Sequence, residues 1–594
     1  MKQIKLKVNH LQRNITQSYV EQYLGFLGIA RENVPSFINV PQESDQDKPL
    51  LLDNIEVAVQ VASQKFLEPN AHLFVQVDSD TDGFTSASIV IGYLKERYPD
   101  LQISYALHHG KEHGVELDKV PETATVVLIP DAGSNQYDEQ EELIRQGRTV
   151  IILDHHEVTN FRETGAILVN NQTSPNFTNK SLSGAGVAYM FIKLMDETTF
   201  AGRAPIHRNY MDLAAIGIIA DAMNMTALGN NYIAYWGLQN IQNKFMYTLA
   251  RKQERGIKNP NKLTKIDVAF YMAPVINGVI RSGSMEDKET VFKALITKDD
   301  PTDYTRVWRG TTYHENLWEM AVRVALNAKG RQDAAKKKSF EWLCEKIRKN
   351  GWDQDNVIIA TMDEKESTKV SPNITGLIAM ELVKEFNKPA LVLRATEFNG
   401  MSVYGGSGRN GNFYGLSDLK SFMSNAGAYY AEGHANAFGC FLVPDQVQQI
   451  RNYANSHLDA ATFNDTVYEV DYWFHTGESL DKEMLFELAS YEDLWGNSIP
   501  QPKIAADVNY KMEDILIMGK NNDSLKIKID GVDFVAFKCA DLIQQIKARP
   551  EGHATIVGRP QLNVWLGKAS VQMVIDDIEI FTPAAKKVSA LDLI

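Results

Sequence analysis

The sequence predicts an α/β protein that ends in an all-β region, and three observations lead to this class. Three short apolar runs rich in β-branched residues have the composition of buried parallel strands: 72–77, 125–130 and 149–153. Between them lie two stretches with apolar residues at helical spacing: 85–97 and 140–146. Near the C-terminus, short runs of alternating apolar residues indicate a β-barrel: 525–529 and 571–575.

The chain divides into five predicted segments. A polar N-terminal extension at 1–50 precedes a first α/β domain, and a charged, helix-prone stretch connects that domain to a second α/β unit with strand-like runs of its own. The short alternating strands follow. The predicted boundaries after the extension are 51–325, 326–355, 356–460 and 461–594.

Acidic residues and histidines follow the apolar runs of the first domain. They fall in four places: Asp78-Ser79-Asp80-Thr81-Asp82-Gly83, Asp131-Ala132-Gly133, Asp154-His155-His156, and Asp221. Open parallel sheets bind ligands at the carboxyl ends of their strands, so these side chains are expected at one edge. Oxygen ligands suit Mg²⁺ and Mn²⁺, and an imidazole favours Mn²⁺. One such aspartate alone is equally typical of a helix cap, but the four together predict a phosphoesterase with two metal ions.

Bulk composition excludes several classes of protein. Three widely spaced cysteines, Cys344, Cys440 and Cys539, argue against a disulfide framework and against a zinc site. No apolar run approaches the length of a membrane span, so no membrane partner is expected. A reducing, intracellular compartment is the predicted location. The formal net charge of −14 requires that any binding of nucleic acid use a local basic channel.

Together with further motifs, the four segments resemble the DHH phosphoesterase superfamily, and within it the RecJ type of single-strand-specific exonuclease. The further motifs are 182–188, 211–217, Ala273 to Asn277 with Arg281, 405–409, 432–439 and 556–567. The resemblance runs from about residue 50 to the C-terminus. It implies a DHH catalytic domain, a DHH-associated domain, and an OB-like domain that binds nucleic acid. The divergent motifs suggest a phage or plasmid origin.

The resemblance implies the following site. The catalytic residues would be Asp131, His155, His156 and Asp221, and the ligands of two Mn²⁺ or Mg²⁺ ions would be Asp78, Asp80, Asp82, Asp131, His155 and Asp221. Asp131 would bridge both ions, and Asp78 would be either a ligand or an anchor for one. The substrate contacts would be His156, Arg281, Ser407, Arg409, Gly433 and His434.

Two motifs leave alternatives open. The run Gly406 to Gly411 matches a dinucleotide fingerprint but lacks the acid expected farther on, so it predicts a glycine-rich loop that holds a phosphate. His434 would be either a packed core histidine or a phosphate contact. The family usually has an arginine shortly before Gly114, where this chain offers His108, His109 and Lys111.

Three functions remain to be separated. The first is a 5′ to 3′ exonuclease that hydrolyses single-stranded DNA to 5′-mononucleotides in recombination, repair or replication, with a single-strand-binding protein or a helicase as a partner. The second is a phosphodiesterase of the same superfamily that acts on short oligonucleotides or cyclic dinucleotides. The third is a non-catalytic RecJ-like subunit that binds DNA, which would be expected to have lost metal ligands.

Overall fold

The computed structural model describes residues 3–13, 16–110, 112–411, 413, 415–459, 467–565 and 567–581. The chain forms two compact units, one from 39–460 and one from 1–38 with 461–594. The first residues therefore group with the C-terminal part of the chain. Strand Gln3–Leu6 pairs in parallel with strand Val467–Val470, so that Gln3 lies opposite Val467.

A five-stranded parallel sheet forms the centre of the first α/β domain, and this confirms the predicted class. The spatial order of its strands is Gln102–Leu107, His72–Val77, Val126–Pro130, Thr149–Asp154 and Ile167–Asn170. Every residue of His72–Val77 and of Val126–Pro130 is buried, as expected for strands covered on both faces. The two edge strands, which the apolar pattern did not reveal, are more exposed.

Helices cover this sheet and extend the domain. Those of eight residues or more are Ile55–Lys65, Thr81–Arg97, Tyr137–Arg145, Gly184–Glu197, Met211–Ala220, Leu228–Leu238, Lys244–Lys252, Ala273–Ser282 and Met285–Ile296. Asp80 caps the second of these and Ser183 caps the fourth, each by accepting a bond from a backbone N–H. A hairpin of Tyr304–Trp308 and Thr311–Glu315 follows.

One long helix, Leu317–Lys349, joins the two α/β domains. Near its start, Trp318 donates from Nε1 to the carbonyl of Ala294 at 3.1 Å, which attaches the helix to the first domain. Near its end, Leu343 and Ile347 are fully buried in the core of the second domain. The helix is therefore part of both hydrophobic cores.

The second α/β domain contains a five-stranded mixed sheet. Its strand order is Tyr430–His434, Ala437–Leu442, Met401–Arg409, Ala390–Phe398 and Ile358–Met362. Its main helices are Thr375–Phe386, Leu419–Asn425 and Val447–His457.

The prediction of a glycine-rich loop beginning at Gly406 is wrong, because Gly406 to Arg409 belong to a central strand of this sheet. The glycines serve close packing instead. A Cβ atom at Gly406 would overlap the carbonyl oxygen of Val392, and one at Gly408 would lie 2.6 Å from the ring of Phe438.

The C-terminal domain contains a seven-stranded mixed sheet, in agreement with the predicted barrel-like region. Its strand order is Tyr472–Phe474, Ile504–Lys511, Glu551–Trp565, Lys568–Phe581, Val532–Ala536, Ser524–Ile529 and Ile515–Met518. Helices Tyr19–Phe26, Lys482–Ser490 and Ala540–Ala548 belong to the same unit. Across the described part of the chain, no helix has the length and apolar character to cross a membrane.

We expect Asp196 to be essential for the stability of the first domain. Its buried carboxylate accepts bonds from Tyr93 Oη at 2.8 Å, Arg97 Nε at 3.0 Å and His207 N at 2.8 Å. Asp196→Ala leaves the guanidinium without its partner, so the free energy of unfolding should fall by about 3–5 kcal/mol. Thermal denaturation followed by circular dichroism measures this. The exposed Asp299, changed to Ala, is the control and should leave the transition in place, and an equal shift in both variants would contradict the prediction.

Candidate functional site

The carboxyl ends of the central strands bring the predicted acids together. Asp78, Asp80 and Asp82 follow strand His72–Val77, and Asp131 follows strand Val126–Pro130. Asp154 is the last residue of its own strand, and Asp221 follows helix Met211–Ala220. Three groups at this edge have ligand atoms within 4.8 Å of one another: Asp78, Asp80 and Asp131; Asp82, His155 and Asp221; and Asp131, Asp154, His155 and His156.

Asp131 is grouped with Asp78 and Asp80 and also with His155, so it connects the groups. Its backbone has φ of 66°, the left-handed region, and its N–H donates to the carbonyl of Leu153 at 2.8 Å. Its Oδ1 atom is buried and accepts no hydrogen bond from the described residues, and it lies 3.2 Å from Nε2 of His155. A buried carboxylate oxygen without a donor is costly unless a cation binds it. The structure therefore fits a metal ion at this position.

The pKa shifts of the clustered carboxylates also fit bound metal ions. Burial raises the pKa of Asp131 well above its usual range, and the charges of Asp82 and Asp80 raise it further. Burial and the same two aspartates raise the pKa of Asp221. At Asp80, burial followed by Asp82 and Asp78 raises the pKa, and the Arg281 charge offsets part of the rise. Bound divalent cations would keep all these groups ionised at neutral pH.

The N-terminus of helix Gly184–Glu197 holds Asp82 in place. Gly184 N–H donates to Asp82 Oδ2 at 2.8 Å, and Ser183 Oγ donates to Asp82 Oδ1 at 2.9 Å. Neighbouring glycines leave room for this approach. A Cβ at Gly217 would overlap Asp82 Oδ1 and lie 2.6 Å from Thr85 Oγ1, and one at Gly184 would lie 2.5 Å from the Cβ of Asp131.

Asp154 organises the two histidines that follow it. Its Oδ1 accepts bonds from His155 N at 2.7 Å and from His156 Nδ1 at 2.8 Å, while its Oδ2 accepts from Ser134 N at 3.1 Å. The Asp154 hydrogen bond raises the pKa of His156 to about 9 despite partial burial. His155, which is nearly buried, has its pKa lowered by that burial. The two imidazoles are thus suited to different tasks.

Asp78 has a partner that the sequence did not reveal. His113 donates from Nδ1 to Asp78 Oδ2 at 2.8 Å, and Gly114 N–H lies 3.4 Å from Asp78 Oδ1. Of the three residues considered for the family's arginine, His108 is buried and bonded to Glu116 at 2.9 Å, so it is not available to a substrate. His109 is exposed, and Lys111 lies outside the described residues.

A second polar site lies where the two α/β domains meet. Ser407 Oγ is 2.9 Å from Thr375 Oγ1, at the N-terminus of helix Thr375–Phe386. A Cβ at Gly376 would lie 2.5 Å from Nη2 of Arg409. Burial lowers the pKa of Arg409, and the positive charge of Arg281 lowers it further.

Arg281, from the first domain, adds to this second polar site. We call the site of Arg281, Thr375, Ser407 and Arg409 the anion pocket. The Nε atom of Arg281 is buried and has no hydrogen-bond partner among the described residues. Its backbone carbonyl accepts a bond from Asn373 Nδ2 at 2.7 Å, which ties it to the second domain. Two neighbouring guanidinium groups beside a helix N-terminus are suited to bind an anion such as a phosphate.

Gly433 and His434 lie on the edge strand of the second sheet. His434 is opposite Ala437, which in turn is opposite Arg409, so the pleat places His434 and Arg409 on the same face. His434 is exposed, which excludes the alternative of a packed core histidine. Gly433 has φ of 121°, which only glycine adopts readily.

Asn277 is a further residue that sequence reasoning did not assign. Its Oδ1 accepts bonds from both N and Oγ1 of Thr81 at 3.1 Å, between Asp80 and Asp82. The signal was present in the sequence, because Asn277 and Arg281 are four residues apart and share one face of helix Ala273–Ser282.

Comparisons with known proteins agree with this description. Residues 72–218 match the model of the DHH family, N-terminal domain, and residues 470–577 match the RecJ OB domain. A prophage-derived protein of Bacillus subtilis strain 168, YorK, is named as a single-strand DNA-specific exonuclease. It is 31% identical over 561 residues, covering 94% of this chain and 95% of that protein.

Solved structures show the same fold. RecJ from Thermus thermophilus in complex with Mn²⁺ superposes with a TM-score of 0.71 at 19% identity, over 98% of this chain and 80% of that chain. The complex of that protein with Mg²⁺ gives a TM-score of 0.65 at 17% identity, over 98% and 79%.

We expect Gly184→Ala to weaken metal binding, because the added methyl group would displace the Asp131 carboxylate that it meets. Mn²⁺ affinity, measured by isothermal titration calorimetry, should fall by at least about tenfold. Gly330→Ala is the matched control, since nothing lies within 4 Å of a Cβ at that helical position. Unchanged Mn²⁺ affinity in a folded Gly184→Ala protein would contradict the described contact.

Proposed function

The chain belongs to the RecJ-type single-strand-specific exonucleases of the DHH phosphoesterase superfamily, and from this premise we propose a specific reaction. The protein hydrolyses single-stranded DNA from its 5′ end and releases 5′-mononucleotides, with divalent metal ions as cofactors. The observation that carries the proposal is the anion pocket of Arg281 and Arg409 beside the carboxylate cluster. A terminal phosphate held in that pocket would position the following phosphodiester at the cluster.

Two Mn²⁺ or Mg²⁺ ions are the proposed cofactors. One would be held by Asp82, His155 and Asp221, the other by Asp80 with Asp78, and Asp131 would serve both. When bound, such ions supply the charge that lowers the pKa of an attacking water molecule and offsets charge on the phosphate. His113 would keep the Asp78 carboxylate oriented whether or not Asp78 is itself a ligand.

His156 is the proposed stabiliser of negative charge at the reacting phosphate. Its Nδ1 is occupied by Asp154, and its side chain is 56% exposed. Because its pKa is raised to about 9, the ring carries a positive charge at neutral pH. A fixed cation beside the developing charge lowers the barrier of the reaction.

In this proposal, the anion pocket accounts for hydrolysis from the 5′ end of the strand. The guanidinium groups of Arg281 and Arg409, the hydroxyls of Ser407 and Thr375, and the N-terminus of helix Thr375–Phe386 would bind the doubly charged 5′-phosphate. Gly433 and His434 would contact the same strand from the edge of the second sheet. A 3′ end carries no such phosphate, so cleavage would start at the 5′ end.

The C-terminal domain is proposed to hold the strand by stacking on aromatic side chains, as such domains do. Among the aromatic residues of this domain, Phe537 is 61% exposed, whereas Phe534 is buried. Tyr472 and Trp473 are partly buried, and the side chain of Trp565 lies outside the described residues. Phe537 is therefore the proposed platform.

The cellular role is proposed from the family to which the chain belongs. Recombination, repair or replication in a bacterial cytoplasm would supply the single strands, through a helicase or a single-strand-binding protein. The complete set of ligands argues against a non-catalytic subunit. The C-terminal domain argues against an enzyme restricted to short oligonucleotides or cyclic dinucleotides.

The direct test of the reaction uses one single strand labelled at its 5′ end and, separately, at its 3′ end, with Mn²⁺ present. The 5′ label should appear at once as a mononucleotide, while the 3′-labelled strand should shorten gradually. An immediate mononucleotide from the 3′ label would reverse the polarity, and absence of cleavage would reject the function.

Asp131→Ala should abolish hydrolysis while the fold is retained, because Asp131 is grouped with Asp78 and Asp80 and also lies 3.2 Å from His155, which is grouped with Asp82 and Asp221. We expect less than about one per cent of the wild-type rate at saturating Mn²⁺. Loss of one buried like charge should also raise the stability of the metal-free protein. The exposed Asp118, changed to Ala, is the control. A greater residual rate in the Asp131 variant would refute the bridging role.

Arg409→Ala should raise KM more than it lowers kcat, and should remove the preference for a 5′-phosphate over a 5′-hydroxyl. Arg409→Lys should restore little, because lysine lacks the bidentate geometry of a guanidinium. Steady-state kinetics on both kinds of end measure the effect. Arg145→Ala, which removes an exposed arginine bonded to Glu142, is the control. If the Arg409 variant discriminates as wild type does, the 5′-phosphate binds elsewhere.

A further inference from the structure

The helix that carries Asn277 and Arg281 has one open face. Between Ala273 and Arg281, only Pro274, Asn277 and Arg281 escape full burial, at the spacing of one helical face. The preceding turn, Val268–Met272, is a π-helix that continues directly into this helix. It places the exposed Phe270 just before the N-terminal end of this helix, seven residues before Asn277.

Phe270 is unusually accessible for a phenylalanine. Its side chain is 72% exposed, although the segment around it is anchored. The adjacent Tyr271 packs against Gly256, where an added Cβ would overlap the tyrosine ring, and the Tyr271 carbonyl accepts a bond from Gln253 Nε2 at 2.7 Å. The backbone beside Phe270 is therefore anchored, while the Phe270 ring is open to solvent. Single π-helical turns of this kind are frequent at functional sites.

The open face of this helix lies beside both the anion pocket and the carboxylate cluster. At one end, Arg281 offsets the charge of Asp80 and neighbours Arg409. One turn earlier, Asn277 binds Thr81 between two of the aspartates. At a rise of about 1.5 Å per residue, Phe270 lies roughly 10 Å beyond Asn277 on the side away from Arg281.

We propose that Phe270 is a stacking platform for a base of the single strand, on the 3′ side of the scissile phosphate. The inference rests on the proposed function, because the 5′-phosphate in the anion pocket sets the direction of the strand. From Arg281 the strand would run past Asn277 at the metal centre and then reach the Phe270 ring. Stacking would tolerate any base, since every base has an aromatic face.

Binding is tested with a short 5′-phosphorylated single strand that carries one 2-aminopurine at successive positions from the 5′ end. Phosphorothioate linkages and Ca²⁺ in place of Mn²⁺ keep the strand intact. Quenching of 2-aminopurine should be strongest at one internal position near the 5′ end, and Phe270→Ala should abolish the quenching at that position. Phe270→Trp should retain it, whereas Phe270→Leu, which keeps an apolar side chain, should not.

Kinetics on an unmodified strand give a second readout. Phe270→Ala should raise Kd and KM between about 5- and 100-fold while kcat changes by less than about twofold. Trp308→Ala removes another half-exposed aromatic side chain, from the hairpin Tyr304–Trp308, and is the matched control. It should leave Kd, KM and the quenching pattern unchanged.

The outcomes separate the two proposals. If wild type cleaves from the 5′ end but Phe270→Ala keeps the same quenching and Kd, the stacking role is overturned and the proposed function stands. If Trp308→Ala weakens binding as much as Phe270→Ala, the effect is not specific to this face, and the inference is likewise overturned. If wild type neither binds nor cleaves single strands, both proposals fail.

Discussion

Like charges held together at the edge of one buried sheet are the constraint on which the rest of the structure depends. Burial raises the pKa of Asp80, Asp131 and Asp221, and each neighbouring carboxylate raises it further. The fold counters this repulsion with backbone N–H groups directed at Asp82 and with the His113 imidazole, which donates to Asp78. Divalent cations would neutralise the negative charge that these hydrogen bonds do not offset.

Close packing around the carboxylates follows from the same constraint. Helices Gly184–Glu197 and Met211–Ala220 approach the acids so closely that glycine is the only residue with room at the contact points, Gly184 and Gly217. Gly83 makes the same kind of contact, where a Cβ would lie 2.6 Å from that of Asp78. The charged cluster is thus packed closely against two helices, and packing of this kind restricts the positions of ligand side chains.

The anion pocket depends on how the two α/β domains are joined. Arg281 comes from the first domain, whereas Ser407, Arg409 and Thr375 come from the second. Helix Leu317–Lys349 belongs to both cores, so the domains are held by shared hydrophobic packing as well as by the bond from Asn373 to the Arg281 carbonyl. A protein with a net charge of −14 can in this way bring arginines from two domains together.

The sequence by itself determined the fold class and the acidic motifs, because β-branched runs that end in aspartate report buried parallel strands directly. It also indicated Ser407 and Arg409, although it predicted a loop where the structure has a strand. Only the tertiary structure decided which residues meet. His113 and Asn277 contact Asp78 and Thr81 across large separations in the chain, and strand Gln3–Leu6 pairs with Val467–Val470. Local periodicity carries no information about such contacts, since they depend on how whole elements pack.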